Sequence, residues 1–122
     1  EYTGPAEAAR AYLQQGGMKN KPDIGVFTVA CPAEDDLISF TNSSWAFRKS
    51  VLRQEMGFED LIVMNDFEAV ARAIPGIDPA LLQKIGGGEA VPARSIGVLG
   101  PGTGLGVASL SWSGSSFIPH PG

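Results

Sequence analysis

The spacing of apolar residues over the first 76 positions predicts helices and strands in alternation. In the opening stretch, TGPAEAARAYLQQGG, Ala9, Tyr12 and Leu13 fall on one helical face. Pro5 suits the first turn of such a helix, and the closing glycines suit its end. We therefore expect an amphipathic first helix here.

A second helix is predicted over the stretch SWAFRKSVLRQEMG. Ser44 is a good N-cap residue, and Gly57 is placed to end the helix in the left-handed conformation. Its predicted apolar stripe consists of Phe47, Val51 and Leu52. Trp45, like Phe47, is expected to pack at the helix start and in the core.

Three strands accompany these helices. DIGVFTVACP is a β-rich apolar run stopped by Pro32, DDLISFTNSS is a short strand with a polar end, and EDLIVMND carries four apolar residues in a row. Such continuous apolar runs are typical of parallel strands that are covered on both faces. With a third helix predicted over FEAVARAIPG, the order indicates an α/β layer with parallel strands.

The pattern changes in the second half of the chain. IDPALLQKIGGGEAVPARS is rich in Gly and Pro around a short helical piece, and SIGVLGPGTGLGVASLSWSG reads as strand, glycine turn and strand with no helix between. We interpret residues 1–76 as part of a first α/β lobe. Residues 77–122 are interpreted as a linker followed by the opening hairpin of a second lobe.

Composition narrows the function classes. The 122 residues carry 9 basic and 13 acidic side chains, a net charge of −4, without a basic run. Nucleic acid is therefore not expected as a partner, and no apolar run is long enough to predict a membrane span. The single cysteine, Cys31, excludes an internal disulfide and is expected to be a buried apolar residue. No metal-ligand spacing is present, so no protein-held metal is predicted.

The glycine turn GPGTGLG admits two interpretations. Its four glycines can aim backbone N–H groups at one anion, and the Thr103 hydroxyl adds a further donor. Alternatively, the glycines only allow positive φ in a tight hairpin. The turn matches neither a Walker loop, because no lysine follows in place, nor a dinucleotide fingerprint, because a strand follows it.

Asn65 and Asp66 stand where an apolar strand gives way to a helix. One interpretation is capping, with Asn65 as N-cap, Glu68 three residues later and Asp66 favoured by the helix dipole. The other is catalysis, because ligands of α/β sheets bind at the carboxyl ends of strands. A carboxylate there can accept the proton of an attacking hydroxyl, and an amide can bind sugar hydroxyls.

Four stretches, TVACP, FTNSSWAF, IVMNDFEAVARAIP and LGPGTGLGVA, occur in this order, and with them the chain resembles the bacterial glucokinases over essentially its whole length. The resemblance implies the actin-like (ribonuclease H-like) sugar-kinase fold, with two α/β lobes beside a cleft. It also implies phosphorylation of the glucose 6-hydroxyl by ATP, the first step of glycolysis. A cytoplasmic location is expected by default, because the sequence shows neither a signal peptide nor a membrane-spanning run. Mg²⁺ would arrive with the ATP.

The resemblance also implies roles for particular residues. Asp66 matches the catalytic base, and Asn65 matches a residue that hydrogen-bonds glucose. Asn42 lies in a loop that faces the sugar in related hexokinases. The turn that approaches the ATP phosphates is matched by Gly102, Thr103 and Gly104.

Two family motifs are missing from these residues: an opening Asp-x-Gly-Gly-Thr strand and a later Gly-Glu-Gly-Gly-His stretch. We therefore expect the sequence to be a fragment that is inactive alone, and its open sheet edge to favour a homodimer. The actin-like superfold also contains non-catalytic sugar sensors and nucleotide-dependent scaffolds. In such a protein Asp66 would serve only binding or capping.

Overall fold

The computed structural model describes residues 2–16, 20–40, 43–102 and 104–122. It contains parallel strands with helices, as expected for the α/β class. The chain forms two compact units, Glu1–Asn65 and Asp66–Gly122. The lobe boundary predicted after residue 76 stays a prediction.

The first unit is built on helix α1 (Pro5–Gln15) and two parallel strands, β1 (Ile24–Val29) and β4 (Asp60–Asn65). Helix α1 begins with proline in its first turn and ends at Gly16, as predicted. The Glu7 carboxylate accepts hydrogen bonds from both the backbone N–H and the hydroxyl of Thr3, each at 2.7 Å. These bonds hold the pKa of Glu7 below its ordinary value and secure the helix start.

The second predicted helix begins later than expected. Residues Ala46–Arg48 form strand β3, which pairs antiparallel with β2 (Leu37–Ser39), and helix α2 covers only Lys49–Met56. Ser44 is therefore not its N-cap, because Arg48 occupies that position. In the strand, Phe47 pairs with the buried Ile38 on β2, and this cross-strand contact favours a strand over an extra helical turn.

The C-terminal end of α2 agrees with the sequence. Gly57 is left-handed, with φ 60°, and its N–H bonds to carbonyls of the last turn. On the helix, Leu52 and Met56 are buried and Val51 is exposed. The predicted stripe is thus correct at Leu52 and wrong at Val51.

Two apolar clusters hold the first unit together. One contains Val29, Cys31 and Ile38, so the expected burial of the cysteine is confirmed, and the other contains Leu52, Met56 and Phe58. The prediction that the parallel strands are covered on both faces is wrong for this chain. Val26 on β1 is 59% exposed and Ile62 on β4 is 42% exposed.

The second unit places helix α3 (Asp66–Ala73) on a three-stranded antiparallel sheet. Its strands are β5 (Ile96–Pro101), β6 (Leu105–Trp112) and β7 (Phe117–Pro121), in the order β5-β6-β7. The hairpin β5-β6 was predicted and β7 was not. A 3₁₀ turn, Ile74–Gly76, ends the helix at the predicted Pro-Gly.

The core of the second unit lies between α3 and this sheet. Ala71 is fully buried against Val98, Ala108 and Leu110, and Phe67 packs against the same cluster. Phe67 and Ala71 share one face of α3 by their spacing of four residues, and Ile74 in the following 3₁₀ turn packs against the same cluster. In the segment before β5, a second 3₁₀ turn covers Pro79–Leu81. Across the described ranges, no helix is long and apolar enough to cross a membrane.

Candidate functional site

The two parallel strands of the first unit end in register. Val29, the last residue of β1, pairs with Asn65, the last residue of β4. This edge is the carboxyl end of both strands, where α/β sheets bind their ligands. Asn65 is partly buried there.

Asp66 is the first residue of α3 and follows the strand without any loop. Its side chain is partly buried, and its Oδ1 accepts the backbone N–H of Phe67 at 2.9 Å. A carboxylate in the first turn of a helix is stabilised by the unpaired N–H groups and by the helix dipole. Asp66 is therefore held as an acceptor at a helix N-terminus.

The capping interpretation is also compatible with the geometry. Asn65 directly precedes α3, which is the N-cap position, and Glu68 stands three residues later. Glu68 Oε1 accepts from the Arg72 guanidinium, with distances of 3.1 Å to Nε and 2.8 Å to Nη2. The reciprocal bonds of a capping box stay a prediction, and so does the catalytic role of Asp66.

The glycine turn links β5 to β6. The N–H of Gly102 donates to the carbonyl of Gly104 at 2.9 Å, so this amide is used within the turn in the present conformation. A phosphate would need other donors from the turn, or a rearrangement that frees this one. Thr103 and Asn42, the other two predicted ligand-binding residues, lie outside the described residues.

The outer glycines of the turn have a purpose that neither sequence interpretation included. Gly100 and Gly106 face each other as a cross-strand pair, and neither has positive φ. A methyl group built at either position would overlap the ring of Phe67. These two glycines are thus small because an aromatic ring occupies the space above them.

The sequence contains a weak signal for this contact, the symmetric placement of two glycines about the turn. Glycines at positions 100 and 106 are symmetric about the turn, so a hairpin would pair them and leave one face bare. Phe67 follows Asp66 immediately, and its ring covers that bare face. The contact joins the first turn of α3 to the base of the glycine turn within one unit.

Among the described residues, no group of three or more His, Cys, Asp and Glu side chains could hold a metal ion. His120 Nε2 lies 2.8 Å from Ser111 Oγ on the neighbouring strand. These two side chains form one hydrogen bond with each other on an exposed surface.

The chain is similar to known glucokinases along its whole length. The glucokinase family model matches residues 1–122. The glucokinase of Aromatoleum aromaticum is 37% identical over 122 residues, which is all of this chain and 37% of that protein. The glucokinase of Paramagnetospirillum magneticum is 44% identical over 115 residues, or 94% of this chain and 36% of that protein.

The fold is also similar to that of a solved glucokinase structure. The crystal structure of a glucokinase from an Antarctic psychrotroph matches with a TM-score of 0.85 and 33% identity, over 99% of this chain and 37% of that one. The chain thus spans a little over a third of the length of these relatives. The match over all of its residues shows that the chain belongs to the glucokinase family.

Proposed function

We propose that this chain is part of an ATP-dependent glucose kinase, which transfers the γ-phosphoryl group of ATP to the 6-hydroxyl of glucose. Family membership supports the reaction class. The observation that carries the proposal is the place of Asp66, a partly buried carboxylate directly after a parallel strand and at the start of a helix. The same reaction would supply the first step of glycolysis.

In this proposal Asp66 is the general base. It accepts the proton of the 6-hydroxyl as the oxygen attacks the γ-phosphorus, while Asn65 and Asn42 bind sugar hydroxyls. The ATP phosphates lie over the turn formed by Gly102, Thr103 and Gly104. Most of the rate enhancement then comes from positioning and from stabilisation of charge on the transferred group.

Residues 1–76 would belong to the sugar-side lobe and residues 77–122 to the linker and the start of the nucleotide-side lobe. Closure of such lobes excludes water, and this protects ATP from hydrolysis. In this proposal Mg²⁺ arrives bound to the ATP phosphates. We propose glucose and ATP as the ligands, a cytoplasmic location, and a homodimer.

The test is a coupled ADP-release assay on a full-length protein that carries these residues, with glucose as acceptor. Asp66→Asn removes the base but keeps the shape and the Oδ1 acceptor. Asp60→Asn, at the other end of strand β4 and exposed, is the matched control. We expect Asp66→Asn to lower kcat by about a hundredfold or more, with glucose affinity nearly unchanged, and Asp60→Asn to behave as wild type.

Two results would contradict the proposal. Equal losses of kcat and glucose affinity would mean that Asp66 only holds the site together. Glucose binding without ADP release by the wild-type protein would favour a sugar sensor or scaffold. The local bonds made by Asp66 Oδ1 and by the Gly102 N–H are compatible with that second function, because both groups already have a structural role.

A further inference from the structure

The ring of Phe67 occupies the space left by two missing side chains. Gly100 on β5 and Gly106 on β6 are directly paired, and a Cβ at either would collide with the ring. At Gly106 the overlap involves three ring atoms, Cε2, Cζ and Cδ2. A ring in this position rests on bare backbone of both strands at the point where the glycine turn leaves them.

The same residue is tied to the carboxylate before it. The backbone N–H of Phe67 donates to Asp66 Oδ1 at 2.9 Å. A shift of the Phe67 backbone would therefore change the hydrogen bond that orients the Asp66 carboxylate. One turn further along, Ala71 is fully buried against the sheet, which holds the rest of α3 in place. The ring of Phe67 and the buried Ala71 lie on the same face of α3, and together they limit rotation of the first helical turn against the sheet.

We propose that Phe67 is a positioning residue, whose ring on the Gly100–Gly106 pair sets the Asp66 carboxylate relative to the glycine turn. This inference rests on the proposed function, because Asp66 and the turn are there assigned to the two reactants of one transfer. A spacing error of about 1 Å between reacting groups can reduce the rate a hundredfold. A rigid aromatic ring with only two side-chain torsions suits this purpose, since it loses little conformational freedom.

The kinetic test pairs substitutions on both sides of the contact in a full-length protein. Gly106→Ala inserts a methyl group into the ring, and Phe67→Leu removes the ring while keeping an apolar side chain. Gly97→Ala is the control, because Gly97 also lies in β5 and its added methyl would meet open space. We expect Gly106→Ala and Phe67→Leu each to lower kcat about tenfold to a hundredfold with little change in KM for glucose, and Gly97→Ala to have no effect.

The double variant separates positioning from simple loss of stability. Phe67→Leu makes room for the methyl group of Gly106→Ala, so the double variant should lose less kcat than the product of the two single effects. Thermal unfolding of each variant shows whether the protein remains folded at the assay temperature. Wild-type kcat in folded Phe67→Leu would overturn the proposal, since the ring would then serve packing alone.

A second readout does not depend on turnover. Crystal structures of the full-length protein with Phe67→Leu and with Gly97→Ala give the distance between the Asp66 carboxylate and the Gly102 backbone nitrogen. The proposal expects this distance to differ from wild type by about 1 Å in Phe67→Leu and to be unchanged in Gly97→Ala. An unchanged distance in Phe67→Leu would refute it. If the distance changes but the wild type releases no ADP, Phe67 still positions the carboxylate, and the proposed kinase function fails.

Discussion

The Asp36 carboxylate caps helix α2 from outside the helix. Its Oδ1 accepts the backbone N–H of Ser50 at 2.9 Å, and its Oδ2 accepts the Ser50 hydroxyl at 3.1 Å. The Asp36 carbonyl also accepts the N–H of Lys49 at 2.9 Å. One residue from the segment before β2 thus satisfies two of the free N–H groups at the helix start.

This cap should make the stability of the protein depend on pH. The Ser50 N–H, assisted by its hydroxyl and by the Arg48 guanidinium, lowers the pKa of Asp36 in the folded state. A lowered folded-state pKa stabilises the fold at pH values above the unfolded-state pKa. That stabilisation is lost as the pH falls through the folded-state pKa.

We therefore expect Asp36→Asn to unfold at a lower urea concentration than wild type at about pH 7, and the difference to vanish near pH 2. Urea titrations followed by circular dichroism at several pH values measure it. Asp35→Asn, at the exposed neighbouring residue, is the control. A difference between Asp36→Asn and wild type that does not change with pH would show that its charge is not used.

Gly57→Ala should destabilise the first unit. Gly57 ends α2 with φ 60°, a conformation that is strained for alanine, and the Lys21 ammonium lies where the new methyl would stand. We expect a loss of about 1–2 kcal/mol in the free energy of unfolding. Gly76→Ala, with open space around it and no positive φ, should change it little. Equal effects of the two substitutions in urea unfolding would contradict a special need for glycine at the helix end.

Neighbouring residues of β2 should differ sharply in their contribution to stability. Ile38 is 1% exposed and packs with Val29 and Cys31, whereas Leu37 is 49% exposed. Ile38→Ala should lower the free energy of unfolding by about 2–5 kcal/mol, because it leaves a cavity. Leu37→Ala should lower it by less than about 1 kcal/mol. Urea midpoints of the two variants test the assigned face of the strand, and similar values would mean that this face is wrong.

A third glycine, Gly25 in the first unit, also makes room for an aromatic ring. A Cβ at Gly25 on β1 would lie 2.6 Å from Phe58 Cε2 and 3.0 Å from Leu61 Cδ1. We expect Gly25→Ala to destabilise the protein by about 1–3 kcal/mol through overpacking. Gly97→Ala, in an open strand position, should be neutral or slightly stabilising. Thermal unfolding of both variants measures the difference. A neutral Gly25→Ala would show that the Phe58 ring can move aside.

Much of the fold could be predicted because local chemistry and final structure agree. Pro5 in the first turn of α1, the left-handed Gly57 after α2 and the Pro-Gly after α3 act through backbone geometry that needs no distant partner. The α/β class and the presence of parallel strands followed from the order of strands and helices, whereas β2 pairs antiparallel with β3 outside that sheet.

Errors occurred where a distant partner overrode a local preference. Residues Ala46–Arg48 read as helix, but Phe47 pairs with Ile38 across an antiparallel ladder. The helix cap moved accordingly from Ser44 to the remote carboxylate of Asp36. No spacing rule predicts such a cap, since it depends on how an earlier loop folds back.

The candidate site shows the same division. By itself the sequence determined that Asn65 and Asp66 stand between a strand and a helix, and that a glycine-rich hairpin comes later, because hydrophobic period and glycine content are properties of short segments. The tertiary structure alone decided which glycines are needed and why. The ring of Phe67 fills the space where side chains at positions 100 and 106 would lie, so only glycine fits at Gly100 and Gly106. This steric requirement exists only once helix and hairpin have packed.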